Sequence, residues 1–303
     1  MKFDVPCMQK LLISIRTVCK TKGMPGAYIL WLAHRVLGLR GPMLKLSDGA
    51  RIGATWINFS EYWSVSSAEF QTGPNNSRGA NLRSFLQGCA AAAQGGVAID
   101  AGANIGVFSV ELAALGYEVH AFEPIPETCA RLRENLALNP RIAGRVHTND
   151  RALGDREEVV TMTAPGNSPA TSYITREPGN GTAALLPVRT TTLDAYAAAS
   201  GLQRIDFLKL DVEGYEPAVL RGAAALLNRH AIDIIFFEWC PPLLRRAGFD
   251  PGELLAEIEK DGYALYRIGA GGQLRREVAL DVLLDGCEWD NLVAQPLKAW
   301  RET

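Results

Sequence analysis

The stretch VAIDAGANIGVFSVEL at residues 97–112 constrains the fold more than any other part of the 303-residue chain. It begins with a short apolar run that ends in an acid, continues through a turn with two glycines, and ends in apolar residues at helical spacing. The first run suits a buried parallel strand, and the later spacing suits a helix packed on a sheet. The stretch therefore predicts a strand, a tight turn and a helix.

The turn itself distinguishes between classes of ligand. Gly102 has no Cβ, so it can adopt a positive φ and let the backbone approach a ligand, while Asn104 offers a cap for the helix. A helix N-terminus usually favours an anion, but Asp100 places negative charge beside it. The dinucleotide fingerprint G-x-G-x-x-G also fails, because its second and third glycine positions fall on Asn104 and Val107. The turn therefore disfavours a pyrophosphate.

A second acid completes this pattern. Glu123 lies 23 residues after Asp100, in VHAFEP at the end of the next predicted strand. A carboxylate in this position can accept hydrogen bonds from both hydroxyls of a ribose. If an aminoacyl tail approaches Gly102, the two positions together predict a site for a nucleoside that carries positive charge.

From residue 97 onward, apolar runs typical of strands alternate with helical patterns. This alternation predicts a parallel, doubly wound α/β sheet, whose ligands bind at the carboxyl ends of the strands. We predict strands at about 97–101, 117–122, 145–148, 205–211 and 232–238, and helices at about 105–115, 126–138, 192–199 and 215–227. Acids fall at or just beyond five strand ends, at Asp100, Glu123, Asp150, Asp211 and Glu238.

Four further stretches carry a resemblance to a known family. They are ENLALNP at 134–140, VRTTTLDAY at 188–196, FLKLDVEGYEPAVLRGA at 207–223 and IIFFEW at 234–239. With the turn at residues 100–106, they make the chain resemble class I S-adenosylmethionine-dependent methyltransferases, and within them the FkbM family. The resemblance implies a Rossmann-like sheet of seven mostly parallel strands with an antiparallel final hairpin, and S-adenosylmethionine as the cofactor.

The resemblance also implies roles for individual residues. The acceptor it implies is a hydroxyl of a sugar, a glycan precursor or a secondary metabolite. The adenine is expected near Asp150, the ribose at Glu123 beside Pro124, and the methionine part at Asp100, Gly102, Asn104 and Gly106.

Three carboxylates are predicted to converge on the acceptor end of the site, because Asp211 and Glu213 follow one strand and Glu238 ends its neighbour. One of them is expected to take the proton of the acceptor hydroxyl. Lys209 alternates with Asp211 on its strand and is expected to pair with an acid and keep it ionised. Two alternatives stay open, a helix-capping role for Glu213 and a Mg²⁺ ion held by the three acids; we favour a site without a metal.

The chain is expected to divide near residue 78. Residues 1–78 would form an N-terminal extension, with two short helices within about residues 1–40 and a β-hairpin at about 44–52. Residues 79–303 would form the methyltransferase domain, with an inserted hairpin or lid at about 156–190, where prolines and glycines break the pattern. The extension is interpreted as a cap on the domain, and a weak peripheral contact with anionic lipid is the alternative.

Composition bears on the location of the protein and on the presence of metal sites or disulfides. The formal net charge is −2, but residues 1–45 carry eight Lys or Arg and one acid, which leaves −9 for the remainder. No signal peptide is evident, and the apolar run at residues 27–33 is too short to span a bilayer, so we expect a cytoplasmic protein. The six cysteines and four histidines lack C-x-x-C and H-x-x-x-H spacing, so we expect neither a metal nor a disulfide framework.

We expect a small-molecule or glycan acceptor and no nucleic acid as partner, and the sequence does not indicate an oligomeric state. Two other functions stay open at this point. One is an atypical Rossmann dehydrogenase acting on a nucleotide sugar, against which the glycine spacing argues. The other is a non-catalytic scaffold that binds a cofactor at a membrane surface, against which the intact acids argue.

Overall fold

The computed structural model describes residues 43–46, 49–53, 77–164, 173–175, 184–276 and 289–297. The helices expected within residues 1–40 lie outside this part of the chain. Within the described residues the strands are β1 Met43–Lys45, β2 Arg51–Gly53, β3 Val97–Ala101, β4 Glu118–Phe122, β5 Val146–Asn149, β6 Ala152–Leu153, β7 Val159–Ala164, β8 Tyr173–Thr175, β9 Ala184–Thr191, β10 Phe207–Leu210, β11 Ile235–Trp239, β12 Tyr263–Ile268, β13 Leu274–Arg276 and β14 Asp290–Pro296. The α-helices are α1 Ser77–Ala93, α2 Val107–Ala114, α3 Pro126–Ala137, α4 Leu193–Ala199, α5 Glu216–Arg221, α6 Ala224–Asn228, α7 Pro241–Arg246 and α8 Pro251–Lys260.

The central sheet has the order β13-β12-β14-β11-β10-β3-β4-β5. The five strands from β11 to β5 are parallel, and β14, β12 and β13 are antiparallel to their neighbours. The chain runs from β3 outward to β5 and then returns to β10 on the other side of β3. This reversal places the ligand-binding crevice of a doubly wound sheet at the carboxyl ends of β3 and β10.

The sheet confirms the predicted fold class, with one difference in strand number. It has eight strands among the described residues instead of seven, because β13 pairs with β12 at the open edge. The five predicted core strands all form; β3 has the predicted bounds, and the ends of the other four are shifted by at most three residues. Strand ends move in this way because the last residues of an apolar run can leave the ladder without leaving the core.

Two hydrophobic cores lie on opposite faces of the sheet, as the alternation of side chains along each strand requires. On β10, Phe207 packs with α1, α2 and α3, while Leu208 and Leu210 pack with the helices from α4 to α8. Lys209 occupies a position on the same face as Phe207 and is buried. The described helices therefore cover both faces of the sheet and leave its edges and strand ends for ligands.

Two predicted helices differ from the observed ones. The helix expected at 105–115 begins only at Val107, because Gly106, with φ of 91°, is its left-handed N-cap. The helix expected at 215–227 is two helices, α5 and α6, separated at Gly222. A Cβ at Gly222 would lie 2.0 Å from the carbonyl oxygen of Gly154, so close packing of two backbones explains the glycine at this break.

A second sheet of order β6-β9-β7-β8 lies within and beside the expected insertion. β7 pairs antiparallel with both β8 and β9. Thr190 closes its base: the Oγ1 accepts a hydrogen bond from the amide of Glu158 and donates to the carbonyl of Arg156. The insertion therefore returns the chain directly to α4, whose N-cap is Thr192.

The β1–β2 hairpin is attached to the methyltransferase-like motif ENLALNP through two asparagines. Asn139 Oδ1 accepts from the amide of Arg51 at 2.7 Å, and Asn135 Oδ1 accepts from the amide of Gly53 at 2.9 Å. Asn135 also donates to the carbonyl of Ile105 at 2.8 Å, in the turn after β3. One side chain thus connects the hairpin, α3 and the candidate site.

Among the described residues, none of the helices has the length and apolar character needed to cross a bilayer.

Candidate active site

The glycine turn after β3 is shaped mainly by neighbouring backbone. Gly102 adopts φ of 74°, and a Cβ there would lie 1.9 Å from the carbonyl oxygen of Asp211. The glycine therefore permits a close backbone approach to the residue that follows β10. Asn104, with φ of 51°, does not cap α2, because its Oδ1 accepts from the amide of the next residue, Ile105. Gly106, the N-cap, has no side chain to supply.

Glu123 is joined directly to this turn. Its side chain is 6% exposed at the end of β4; Oε2 accepts from the amide of Asn104 at 2.9 Å and Oε1 from the amide of Ile125 at 3.0 Å. Burial raises the pKa of Glu123 to about 7, although the two amides act in the opposite direction. A carboxylate has about four acceptor positions, so two remain for hydroxyl donors. Pro124 lies between Glu123 and Ile125 in the chain.

A buried cation lies beneath the turn. The Nζ of Lys209 is 3.1 Å from Asp100 Oδ1 and 3.5 Å from Asp211 Oδ2, and it donates to the carbonyls of Ala101 and Gly102 at 3.2 and 2.8 Å. Burial alone would lower the pKa of Lys209, but the two carboxylates raise it above its usual value. The expected pairing of Lys209 with an acid is therefore present. It involves two acids, because Asp100 lies opposite Lys209 in the β3–β10 register.

Asp100 is fully buried. Its Oδ2 accepts from the hydroxyl of Ser109 at 2.6 Å, in the first turn of α2. With Lys209 on its other oxygen, the carboxylate fixes the strand, the helix and the turn relative to one another. Asp100 therefore acts on this edge through the glycine turn that it holds in place.

The acidic groups after β10 and β11 influence one another. Burial raises the pKa of Glu213 to about 7, with a further contribution from Asp211 that Arg246 opposes. Burial, and then the charge of Asp211, raise the pKa of Glu238 to about 9, while a hydrogen bond from Trp289 acts in the opposite direction. These mutual effects place the three predicted carboxylates in one electrostatic cluster at the carboxyl edge.

Glu213 does not have the helix-capping role considered for it. Its Oε2 lies 3.4 Å from Arg246 Nη2, and its backbone adopts φ of 57°, a left-handed conformation uncommon for a residue with a side chain. Helix α5 has no side-chain cap; Glu216 at its start instead closes the preceding turn, because its Oε1 accepts from the amides of Val212 and Gly214. Glu216 is 1% exposed, and burial raises its pKa to about 7.

Sequence reasoning missed three contributors to this edge, Glu216, Arg246 and Trp289. A signal existed for Glu216, because the run DVEGYEP places an acid two residues after a turn glycine. Arg246 and Trp289 come from α7 and from the approach to β14, so only the fold reveals them. Asp150 is exposed in the bend after β5, and the preceding Asn149 accepts from the amide of Glu123 at 3.0 Å.

The hydrogen-bond acceptors and charges at this edge suit a cationic nucleoside. Glu123 offers two unused acceptor positions for ribose hydroxyls, and the surrounding carboxylates outnumber the two cations, Lys209 and Arg246. A sulfonium is stabilised by such surroundings, whereas a pyrophosphate is repelled. The residues present therefore fit S-adenosylmethionine better than a dinucleotide.

Comparisons with known proteins agree with this chemistry. The chain is 26% identical over 235 residues to hexuronic acid methyltransferase AglP of Haloferax volcanii, across 74% of this chain and 82% of that protein. It is 28% identical over 204 residues to methyltransferase sdnD of Sordaria araneosa, across 55% of this chain and 78% of that protein. A 71-residue stretch is 46% identical to 31-O-demethyl-FK506 methyltransferase FkbM of Streptomyces tacrolimicus, covering 23% of this chain and 26% of that protein.

A crystal structure of methyltransferase FkbM from Methylobacillus flagellatus KT aligns with a TM-score of 0.42 and 16% identity, over 66% of this chain and 43% of that one. The sequence model of the methyltransferase FkbM domain matches residues 100–265, more than half of the chain and the whole region from the acid-glycine turn to β12. The chain therefore belongs to the FkbM family of S-adenosylmethionine-dependent methyltransferases.

Proposed function

We propose that this methyltransferase transfers a methyl group to a hydroxyl oxygen of a sugar, a glycan precursor or a secondary metabolite. The names of two relatives support this acceptor class, since one is a hexuronic acid methyltransferase and another a 31-O-demethyl-FK506 methyltransferase. Membership of a methyltransferase family removes the dehydrogenase alternative. The glycine spacing and the acidic edge agree with that outcome.

When bound, S-adenosylmethionine supplies an electrophilic methyl group on a sulfonium, which an acceptor oxygen can attack in line. In this proposal Glu123 accepts the ribose hydroxyls, and Asp150 lies toward the adenine. Gly102, Asn104 and Gly106 form the backbone against which the methionine part lies. Asp100 holds that backbone in place through Ser109 and Lys209.

The observation that carries the acceptor chemistry is a carboxyl group of near-neutral pKa at the acceptor edge. Glu213 has a pKa of about 7, which suits a general base, since a base works best with a pKa near the working pH. The Glu213 carboxylate would take the hydroxyl proton as the oxygen–carbon bond forms. Arg246, 3.4 Å away, would hold the carboxylate in place.

The other two acids have different parts in this proposal. Glu238, with a pKa of about 9, is mainly protonated near neutral pH, so it would donate a hydrogen bond instead of accepting a proton. Asp211 stays next to the ammonium of Lys209 and supplies the negative charge that raises the pKa of Glu213. In this proposal the different surroundings of the three acids therefore give them different roles: Glu213 is the base, Glu238 is a hydrogen-bond donor and Asp211 is a fixed negative charge.

The test is a screen with S-adenosylmethionine labelled in the methyl group, over hexuronic acids, neutral sugars, lipid-linked glycans and hydroxylated metabolites. We expect a labelled O-methyl product, identified by NMR and mass spectrometry. Glu213→Gln should lower turnover by about 10²- to 10⁴-fold, the usual range for loss of a general base. The matched control is Glu257→Gln, which removes a carboxylate from an exposed ion pair with Arg221 outside the site.

Cofactor affinity, measured with S-adenosylhomocysteine, should stay nearly unchanged in Glu213→Gln. Methyl transfer to nitrogen or carbon only would refute the acceptor class. Full turnover in Glu213→Gln would remove this residue as the base while leaving the family assignment intact.

A further inference from the structure

A cluster of two histidines and one acid lies away from the candidate active site, on the open edge of the central sheet. Glu118 and His120 are two residues apart on β4, so they point to the same face, and His147 lies directly opposite His120 in the β4–β5 register. One ligand-type atom from each of the three side chains lies within 4.8 Å of the other two. Among the described residues, β5 is the last strand of the sheet at this edge.

We propose that Glu118, His120 and His147 form a binding site for a zinc ion. Two imidazoles and a carboxylate are the donor set of many zinc sites, and they favour zinc over Mg²⁺, which prefers oxygen ligands. The site needs no motif in sequence, because strand pairing brings together residues that are 27 positions apart.

The strongest support is an unused nitrogen on His120. This side chain is 6% exposed, and its Nε2 is buried without a hydrogen-bond partner, whereas Nδ1 lies 2.7 Å from the hydroxyl of Tyr196. Buried polar atoms without partners are rare, and each one requires an explanation. A metal-ligating histidine typically has its other ring nitrogen engaged in a hydrogen bond that fixes the tautomer, and Tyr196 supplies that contact here.

The other two ligands are positioned to close on an ion. His147 stacks on His120 with ring centroids 4.8 Å apart, and its Nε2 is 2.9 Å from Glu118 Oε1. Ligand atoms around a tetrahedral zinc are about 3.3 Å apart, given zinc–ligand bonds of about 2.0 Å. Both His147 and Glu118 are about half exposed, so they can rotate by the remaining distance, while His120 stays fixed by the core.

The hydrogen bonds around Tyr196 give the site a connection to the candidate cofactor pocket. Its hydroxyl also accepts from Asn149 Nδ2 at 3.2 Å, and its ring packs edge-on against Phe122 at 4.7 Å. Phe122 directly precedes Glu123. A bound zinc would therefore tie the edge strand β5 to β4 beside the proposed ribose and adenine positions, without touching the reacting atoms.

The experiment is isothermal calorimetry of the full, chelator-treated chain with ZnCl₂, with MgCl₂ as the comparison ion. We expect one site that binds zinc, no heat with magnesium, and a rise in Tm with zinc. His147→Phe keeps an aromatic ring against His120 but removes the ligand. Loss of an outer partner costs about 10- to 100-fold in metal affinity, so loss of a ligand should cost at least as much.

Two further variants make the result specific. Tyr196→Phe keeps the ring and removes the hydroxyl, and it should weaken zinc binding by about 10- to 100-fold while leaving one site. His230→Asn removes an imidazole elsewhere, at a position with φ of 49° that asparagine tolerates, and should bind zinc like the wild type. Equal zinc affinity in His147→Phe and the wild type would overturn the proposal, as would the absence of zinc binding in the wild type.

Discussion

The clearest physical test of the candidate site is the substitution Lys209→Met. The side chains are similar in length, so the change removes the ammonium and leaves most of the apolar stem. In the structure the Lys209 side chain is 3% exposed, and its ammonium lies 3.1 Å from Asp100, which is fully buried. After the substitution, Asp100 would keep only the hydroxyl of Ser109 as a described partner.

The expected loss of folding stability follows from the burial of this ion pair. Removing one partner of a buried ion pair costs about 3–5 kcal/mol, because the remaining charge stays desolvated. Lys209 also donates to the carbonyls of Ala101 and Gly102, so the glycine turn loses two hydrogen bonds as well. A loss of this size is a large share of the total stability of a domain, which is about 5–15 kcal/mol. We therefore expect a clear shift of the unfolding midpoint.

Urea denaturation followed by circular dichroism measures this loss, with Arg221→Met as the matched control. Arg221 pairs with Glu257 at 2.9 Å, but both side chains are more than a third exposed, and such pairs contribute about 0.2–1 kcal/mol. The double variant Lys209→Met with Asp100→Asn should be more stable than Lys209→Met alone, since the uncompensated charge is gone. A loss below about 1 kcal/mol for Lys209→Met would refute the view that this pair holds the turn in place.

Two further predictions concern buried carboxylates. Glu123→Gln should weaken binding of S-adenosylhomocysteine by about tenfold or more in calorimetry, because hydrogen bonds to a charged acceptor contribute about 1.5–3 kcal/mol each; unchanged affinity would remove Glu123 from the ribose site. For Glu216, burial raises the pKa from 4.5 to about 7, so the folded state binds the extra proton and stability contributed by this group is lost as pH rises from about 4.5 to 7. Glu216→Gln should therefore show a shallower fall in urea midpoint across that pH range than the wild type, and identical slopes would contradict the assignment.

The fold could be predicted from the sequence because its signals are periodic and local. The apolar run at β3, the acid that ends it and the helical spacing after it all indicate one element order, and the observed parallel core has that order. The helix predicted at about 192–199 is α4, Leu193–Ala199, whose N-cap Thr192 accepts from the amide of Ala195. Caps of this kind are visible in sequence, so the ends of that helix were predicted to within one residue.

The site was only partly predictable, because its details depend on contacts between distant residues. Asp100 and Glu123 were identified from their places after strands, but the sequence does not show that Asp211 fills the space left by Gly102. The left-handed Gly106, which delays α2, likewise follows from packing against Leu132 of α3, whose Cγ would lie 3.1 Å from a Cβ there. Local patterns therefore indicated a candidate site, whereas the neighbouring strand and helix determined the geometry of its residues.

The charge balance at the carboxyl edge links these observations to the choice of cofactor. Apart from Glu238, which is mainly protonated near neutral pH, four acids, Asp100, Glu123, Asp211 and Glu213, meet two cations, Lys209 and Arg246. Lys209 is paired with Asp100 and Asp211, so Glu123 has little local compensation, and burial raises its pKa to about 7. An arriving cation gains free energy from such surroundings, and an anion loses it. The same residues that make the edge costly to ionise in the folded chain thus favour a sulfonium nucleoside over a phosphate-bearing one.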